Sequence, residues 1–307
     1  MKTFLLVAAV ALAVTGCTSP DDDSEVAAPP RATTTSPSAS PIADPRPMKA
    51  TRIGLLRTES AHGLALCGHH VAYVAGTSEI VLADWEAGTS RTVFSTDHSF
   101  LYAVRQVGCR FEVHDTVDGY NGENPNEPGR VLSVDLRTGR VSSSPSAPFA
   151  PVVVGRGGTN RSVELVDGTT WRSLVLATPT HVRLLSSTGQ VAWVSMSGRH
   201  VAWVDGMPDR VPDSVHVVDV ADPDSAVVLT RGGRPSAVAV GSTFVVWTVG
   251  ARQFVASVEG GPVTPVPGPR AADLWVAAHG ALMARVVDQG GGAVAVELLR
   301  VSTATGE

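Results

Sequence analysis

The chain has 307 residues, with 24 Lys+Arg against 29 Asp+Glu, a formal charge of −5, 43% hydrophobic residues and only 5% aromatics. That balance excludes a wholly disordered chain and a cationic nucleic-acid binder. With 30 Gly and 21 Pro among many Val and Thr, the composition favours strands and turns over helices.

Residues 1–16 form the first element, an export signal. Lys2 supplies the positive end, and Phe4 to Val14 is an unbroken apolar run, too short for a bilayer that needs about 20 residues. The run ends in Val14-Thr15-Gly16-Cys17, which resembles the lipobox of bacterial lipoproteins. The resemblance implies cleavage before Cys17, a lipid on its sulfur, and anchorage at the outer face of the cell membrane. The alternative is an ordinary secretory signal followed by an incidental Cys. Arg outnumbers Lys by 22 to 2, the bias of a GC-rich bacterial genome such as an actinobacterium's.

Residues 17–50 change character. Between Thr18 and Ala50 lie seven prolines, nine Ser/Thr and the acidic run Asp21-Asp22-Asp23. Such a stretch cannot bury a core and is expected to be a disordered tether. Extended at about 3.1 Å per residue, it would reach on the order of 100 Å.

From about residue 61 the sequence repeats. A short apolar strand, a Gly turn and a second apolar strand recur, as in Leu64-Ala65-Leu66-Cys67-Gly68 before His70-Val71-Ala72-Tyr73-Val74. The same unit appears in Val191-Ala192-Trp193-Val194 through Gly198 before His200-Val201-Ala202-Trp203-Val204. Turn glycines at 68, 108, 157, 198, 241 and 280 are spaced by 40, 49, 41, 43 and 39 residues, the period of a four-stranded propeller blade. Third strands are expected at Glu79–Trp85, Arg130–Leu136, Trp171–Ala177, Val215–Val220, Gln253–Val258 and Ala293–Val301, three of them closing on Asp84, Asp135 and Asp219 as turn openers.

Six units fit residues 51–307, and the last lacks an outer strand. Arg52-Ile53-Gly54-Leu55-Leu56 can supply it, so that the two chain ends pair, close the ring and leave no open sheet edge. The expectation is an all-β, six-bladed β-propeller. The pattern resembles TolB-like propellers, a likeness of architecture that carries no function with it. A two-sheet sandwich fits a sixfold period near 40 residues poorly.

With Cys17 given to lipid, Cys67 and Cys109 remain for one disulfide in an oxidising compartment. They adjoin the turn glycines of neighbouring units, so the bridge would staple adjacent blades. Closing this loop contributes roughly 4 kcal/mol in the chain-entropy model. His69 and His70 read as a turn residue and a strand start.

Loops between second and third strands share one face with the loops joining blades, where ligands commonly meet a ring. The candidate binding rim there comprises Asp115, Asp118, Asn121, Glu123, Asp167, Asp205, Asp209, Arg210 and Asp288. The long loop from Asp115 to Gly129 carries enough oxygen donors for Ca²⁺, although its spacing matches no calcium loop and its Gly, Asn and Pro content also suits a plain solvated loop. An acidic rim would attract a cationic or metal-bridged partner, whereas Asp also simply opens turns. His98 and Asp273 are the obvious polar entrants on inner strands. Tyr73, Trp203 and Trp247 share one position in second strands, where His114 and Arg285 stand in two other units. A paired core His or an interblade Arg is expected there.

No nucleophile elbow or phosphate-cradling loop occurs. The function expected is therefore non-catalytic: an exported, lipid-anchored, monomeric scaffold binding another envelope protein or a glycan, with no nucleic-acid partner and no cofactor other than Ca²⁺. The alternative is a metal-assisted propeller hydrolase or lactonase.

Overall fold

The structure is a computed structural model that describes residues 46–97, 99–117, 129–145, 152–156, 162–167, 172–186, 191–205, 214–231 and 233–304. Cys17 and the rest of residues 1–45 lie outside the described residues, as do His98, Asp118, Asn121, Glu123, Asp209 and Arg210.

Every regular element among the described residues is a strand. After β1 (Met48–Thr58), blade 1 comprises β2 (His62–Cys67), β3 (His70–Ala75), β4 (Glu79–Asp84) and β5 (Thr89–Ser95). Blade 2 holds β6 (Ser99–Val107), β7 (Arg110–Val117), β8 (Gly129–Asp135) and β9 (Val141–Pro145). Blade 3 holds β10 (Val152–Arg156), β11 (Ser162–Asp167), β12 (Arg172–Ala177) and β13 (Val182–Leu184). Blade 4 is β14 (Val191–Ser197), β15 (His200–Asp205), β16 (Ser214–Asp219) and β17 (Asp222–Arg231). Blade 5 is β18 (Pro235–Val240), β19 (Phe244–Val249), β20 (Arg252–Ser257) and the two-residue β21 (Thr264–Pro265). Blade 6 is β22 (Ala271–His279), β23 (Leu282–Gly290) and β24 (Ala293–Thr303), completed by β1.

Six antiparallel four-stranded sheets therefore form a six-bladed propeller. β1 pairs with β24 from Met48 opposite Thr303 to Thr58 opposite Val294, closing the ring with the first strand of the domain as expected. This strand begins three residues before the boundary read at Thr51. Met48 and Ala50 are buried against Phe244, Leu299 and Val301, so these residues belong to the folded body rather than to the tether.

Strand residues alternate between the two faces of each blade, and each face meets a neighbour. Leu64, Leu66, Val71 and Tyr73 pack toward blade 6 with Val286, Val296 and Leu298. Their sequence neighbours Ala65, Cys67, Ala72 and Val74 pack toward blade 2 with Phe111, Val113 and Leu132. Similar layers separate blades 3 and 4, 4 and 5, and 5 and 6. A blade is covered on both sides, which is why its middle strands read as continuous apolar runs instead of clean alternations. Each large aliphatic or aromatic side chain so buried contributes about 1.5–3 kcal/mol.

At the turns joining first to second strands, Gly68, Gly108, Gly198 and Gly280 have φ near +58°, the left-handed conformation that tight hairpins demand. Gly241 is needed for another reason: a Cβ there would stand 2.2 Å from the Phe244 ring and 2.7 Å from the Gly280 carbonyl oxygen. The Phe244 ring folded over its own hairpin and the carbonyl of the next blade, rather than a positive φ, fix that glycine. These turns define one end of the ring, the turn end; innermost strands begin at the other, the loop end.

Two cross-links join blades 1 and 2 at the turn end. Cys67 and Cys109 form the expected disulfide, with Cα atoms 5.2 Å apart. Beside it, the Gln106 side chain behaves like a strand of its own. Its Oε1 accepts from Leu66 N at 2.9 Å, while its Nε2 donates to Leu66 O and Gly108 O at 2.8 Å each.

Candidate functional site

All six innermost strands carry a bulge against the second strand of their blade. In blades 1 to 5 the register steps by two residues on the inner strand for one on its partner: His62/Leu64, Ala103/Arg105, Val153/Gly155, Val191/Trp193 and Pro235/Ala237. Blade 6 departs from the pattern. Between Ala271 and Val276 the inner strand takes five steps while β23 takes two, from Val287 to Arg285. The extra residues push Asp273, Leu274 and Trp275 out of the ladder at the loop end. Bulges re-aim side chains in this way beside functional sites.

Each of the three side chains meets a different fate. Leu274 is thrown outward and is 46% exposed. Trp275 turns inward and meets Trp193 of β14 edge to face, ring centroids 4.7 Å apart. Because β14 and β22 belong to blades separated by blade 5, this contact spans the inner edge of β18. Asp273 is tucked under the bulge. Its Oδ1 accepts from Leu274 N, and its Oδ2 is buried without a hydrogen-bond partner. Burial pushes this carboxyl above the ordinary carboxylate range, and the amides of Leu274 and Trp275 together with His62 offset only part of that rise.

Leu274 is not alone. Phe100 and Tyr102 are exposed near the start of β6, with Leu101 between them buried, and Val153 is exposed near the start of β10. The opening portions of three innermost strands therefore present large apolar side chains at the loop end. Isolated exposed apolar residues are ordinary on a protein surface; several on one rim mark a contact region.

The rim read from sequence has a different character. Asp115 is 5% exposed, and its Oδ2 accepts from Arg130 Nε at 2.6 Å, so it is withdrawn from the surface by its own hairpin. Arg130 also lies over the Phe94 ring at 5.6 Å. Asp288 is exposed and accepts from Gly290 N at 2.7 Å, the turn-opening role. Asp167 and Asp205 end β11 and β15. Of the loop from Asp115 to Gly129 read as a source of Ca²⁺ ligands, residues 118–128 lie outside the described residues.

Arg285 is the interblade arginine expected at the shared aromatic position. Nearly inaccessible, it donates through Nε and Nη2 to Glu297 Oε2 at 2.7 and 2.6 Å, through Nη1 to Gln253 Oε1 of blade 5 at 3.0 Å, and through Nη2 to Pro267 O at 2.6 Å. A guanidinium so buried and so engaged fastens blade 5 to blade 6 rather than facing a ligand. His114, expected to share that position, does not: counting from the paired residues His70 with Asp84 and Arg110 with Asp135, the equivalent of Tyr73 is Val113, buried between blades 1 and 2, and His114 stands one residue further on, opposite Tyr102 and Val131.

Sequence reading noticed Asp273 but missed the bulge that carries it, and missed the exposure of Phe100, Tyr102 and Leu274. The signal present was the run Asp273-Leu274-Trp275, which interrupts the small-residue pattern of inner strands. It was masked because the turn-glycine spacing leading to Gly280 is the shortest of the five.

No protein-family model matches the chain, and no curated protein matches it. Among solved structures, TolB from Acinetobacter baumannii aligns at 16% identity and a TM-score of 0.47, covering 69% of this chain and 55% of that one. A putative TolB from Agrobacterium tumefaciens aligns at 16% identity and 0.48, covering 70% and 79%. An oligogalacturonate lyase from Vibrio parahaemolyticus aligns at 10% identity and 0.43, covering 76% and 74%. Likenesses at this level concern architecture alone.

Proposed function

We propose that this protein is an exported, lipid-tethered binding scaffold whose loop end receives an apolar segment of another envelope protein. The observation that carries this reading is the enlarged blade 6 bulge, which projects Leu274 at the end of the ring where Phe100, Tyr102 and Val153 are also exposed. A short apolar anchor seated among such side chains is the usual centre of a protein interface. Exposed Phe and Leu side chains favour a protein segment over a glycan. The alternative of metal-assisted hydrolysis in the channel gains less support, since no set of carboxylate ligands converges there among the described residues.

A photo-crosslinking amino acid placed at Leu274 or Phe100 in living cells is expected to give a discrete adduct. The same group at Val228, exposed on the outer strand β17, is expected to give none. Equal adducts at all three positions, or none at Leu274 and Phe100, would defeat the proposal. The tether is tested separately: with Cys17 lipidated, the protein partitions into detergent phase and is extracted with membranes, and Cys17→Ser moves it to the aqueous phase. A protein that stays aqueous with Cys17 intact would be an ordinary secreted one.

A further inference from the structure

The turn end of blade 1 carries a second cluster, independent of the loop end. His69 lies in the turn between β2 and β3, His70 opens β3, and Asp84 closes β4 as the register partner of His70. One donor atom from each lies within 4.8 Å of the other two. His69 Nε2 stands 3.6 Å from Asp84 Oδ2, and the two imidazole centroids are 4.0 Å apart.

Backbone contacts hold these parts in place. Trp85 N donates to His69 O at 3.0 Å and the Trp85 indole Nε1 to Gly68 O at 3.3 Å, tying the two turns together. Asp84 Oδ1 accepts from Glu86 N and Ala87 N at 3.1 and 2.9 Å, which fixes the carboxylate with Oδ2 on the His69 side. An outer layer of hydrogen bonds that orients a ligating group is what a metal site requires.

Two imidazoles and one carboxylate suit zinc and its first-row neighbours, whereas calcium and magnesium take oxygen donors. A tetrahedral ion bonded at about 2.1 Å would set its donors roughly 3.4 Å apart. Small side-chain rotations reach that spacing from the observed one, and three of the groups come from a two-turn frame that need not move.

Blade 4 provides an internal comparison. Arg199, His200 and Asp219 occupy the positions of His69, His70 and Asp84, and Val220 N donates to Arg199 O as Trp85 N does to His69 O. There Arg199 Nε donates to Asp219 Oδ2 at 2.8 Å. The shared frame is thus a cation-to-aspartate staple between two turns, and a guanidinium occupies the space in blade 4. Histidine in place of arginine opens that space and contributes a ligand.

We propose that His69, His70 and Asp84 bind one divalent transition-metal ion of the zinc class, with a further coordination position open to water or to a donor from another molecule. The neighbouring trio of Cys67, Cys109 and His279 does not compete, because its sulfurs are joined in the disulfide.

The test uses the full-length chain without a polyhistidine tag, kept oxidised, equilibrated with zinc, desalted, and assayed by elemental mass spectrometry. One zinc per chain is expected. His69→Arg rebuilds the blade 4 staple and is expected to keep the fold, judged by its circular dichroism and melting, while losing the metal. Asp84→Asn is expected to weaken binding at least about tenfold, and His200→Ala to change nothing. A metal-free wild type, zinc retained by a folded His69→Arg, or zinc taken up only after reduction and lost in His279→Ala would overturn the assignment. Crosslinking at Leu274 is expected to be unchanged in His69→Arg, so failure here and failure of the loop-end reading are separate results.

Discussion

Trp193 and Trp275 meet edge to face at 4.7 Å although their strands belong to blades that do not adjoin. The contact ties blade 4 to blade 6 past the inner edge of blade 5, and it depends on the enlarged bulge that brings Trp275 to the meeting point. A double-mutant cycle of Trp193→Ala and Trp275→Ala, read by urea unfolding, should give a coupling of about 0.5–1.5 kcal/mol. Strict additivity would mean that the rings touch without supporting each other.

Arg285 and Glu297 form a buried pair whose loss should depend on which partner is removed. Arg285→Met leaves the Glu297 carboxylate with only the distant, exposed Arg52 at 3.9 Å. A loss of about 3–5 kcal/mol is expected. Arg285→Met combined with Glu297→Met removes both charges and should recover much of it, as measured by denaturant midpoints.

Asp273 gives the stability a pH dependence of defined sign. Its carboxyl is held above the ordinary range chiefly by burial, so the folded protein keeps this proton to a higher pH than the unfolded chain does. The stability it contributes is complete below the unfolded value of about 4 and is lost as pH rises through the folded value. Asp273→Asn should therefore be more stable than the wild type at pH 7, with the difference shrinking toward about pH 4. Urea midpoints across that window check it; a variant less stable at neutral pH would show that the carboxylate has a partner worth more than its burial costs.

The seam between blades 1 and 2 has two fasteners of unequal weight. Cys67→Ser with Cys109→Ser should cost roughly 2–4 kcal/mol. Gln106→Ala should cost about 1–3 kcal/mol by stranding the Leu66 amide and carbonyl. Calorimetry of the three proteins under oxidising conditions separates the two contributions, and reduction should lower the wild type to the level of the double serine variant.

The ring was legible because its signal repeats. Six turn glycines at a near-constant period, apolar hairpins around them and a spare strand ahead of the first unit define the blade count and the closure without knowledge of any side-chain contact. Arg285 was legible for a related reason, as a charged residue where Tyr73, Trp203 and Trp247 set the expectation. The site was not, because a bulge is a difference in register between two strands, and register leaves no mark on the period. The short outer strand of blade 5, β21, precedes the enlarged bulge of blade 6, so the spacing that should have lengthened did not. The His69, His70 and Asp84 cluster escaped for the same reason: its members are 15 residues apart along the chain and meet only because β3 and β4 pair as they do.

The pairing that completes blade 6 also sets how the body resists force. Met48 enters β1 opposite Thr303, near the turn end, and is the first of ten register pairs that run to Thr58. A pull on the preceding chain directed away from that end runs along the strand axis, so the hydrogen bonds of β1 and β24 are loaded together in shear rather than unzipped one after another. An anchored ring gripping a partner at its far end would bear that strain on its longest strand pair.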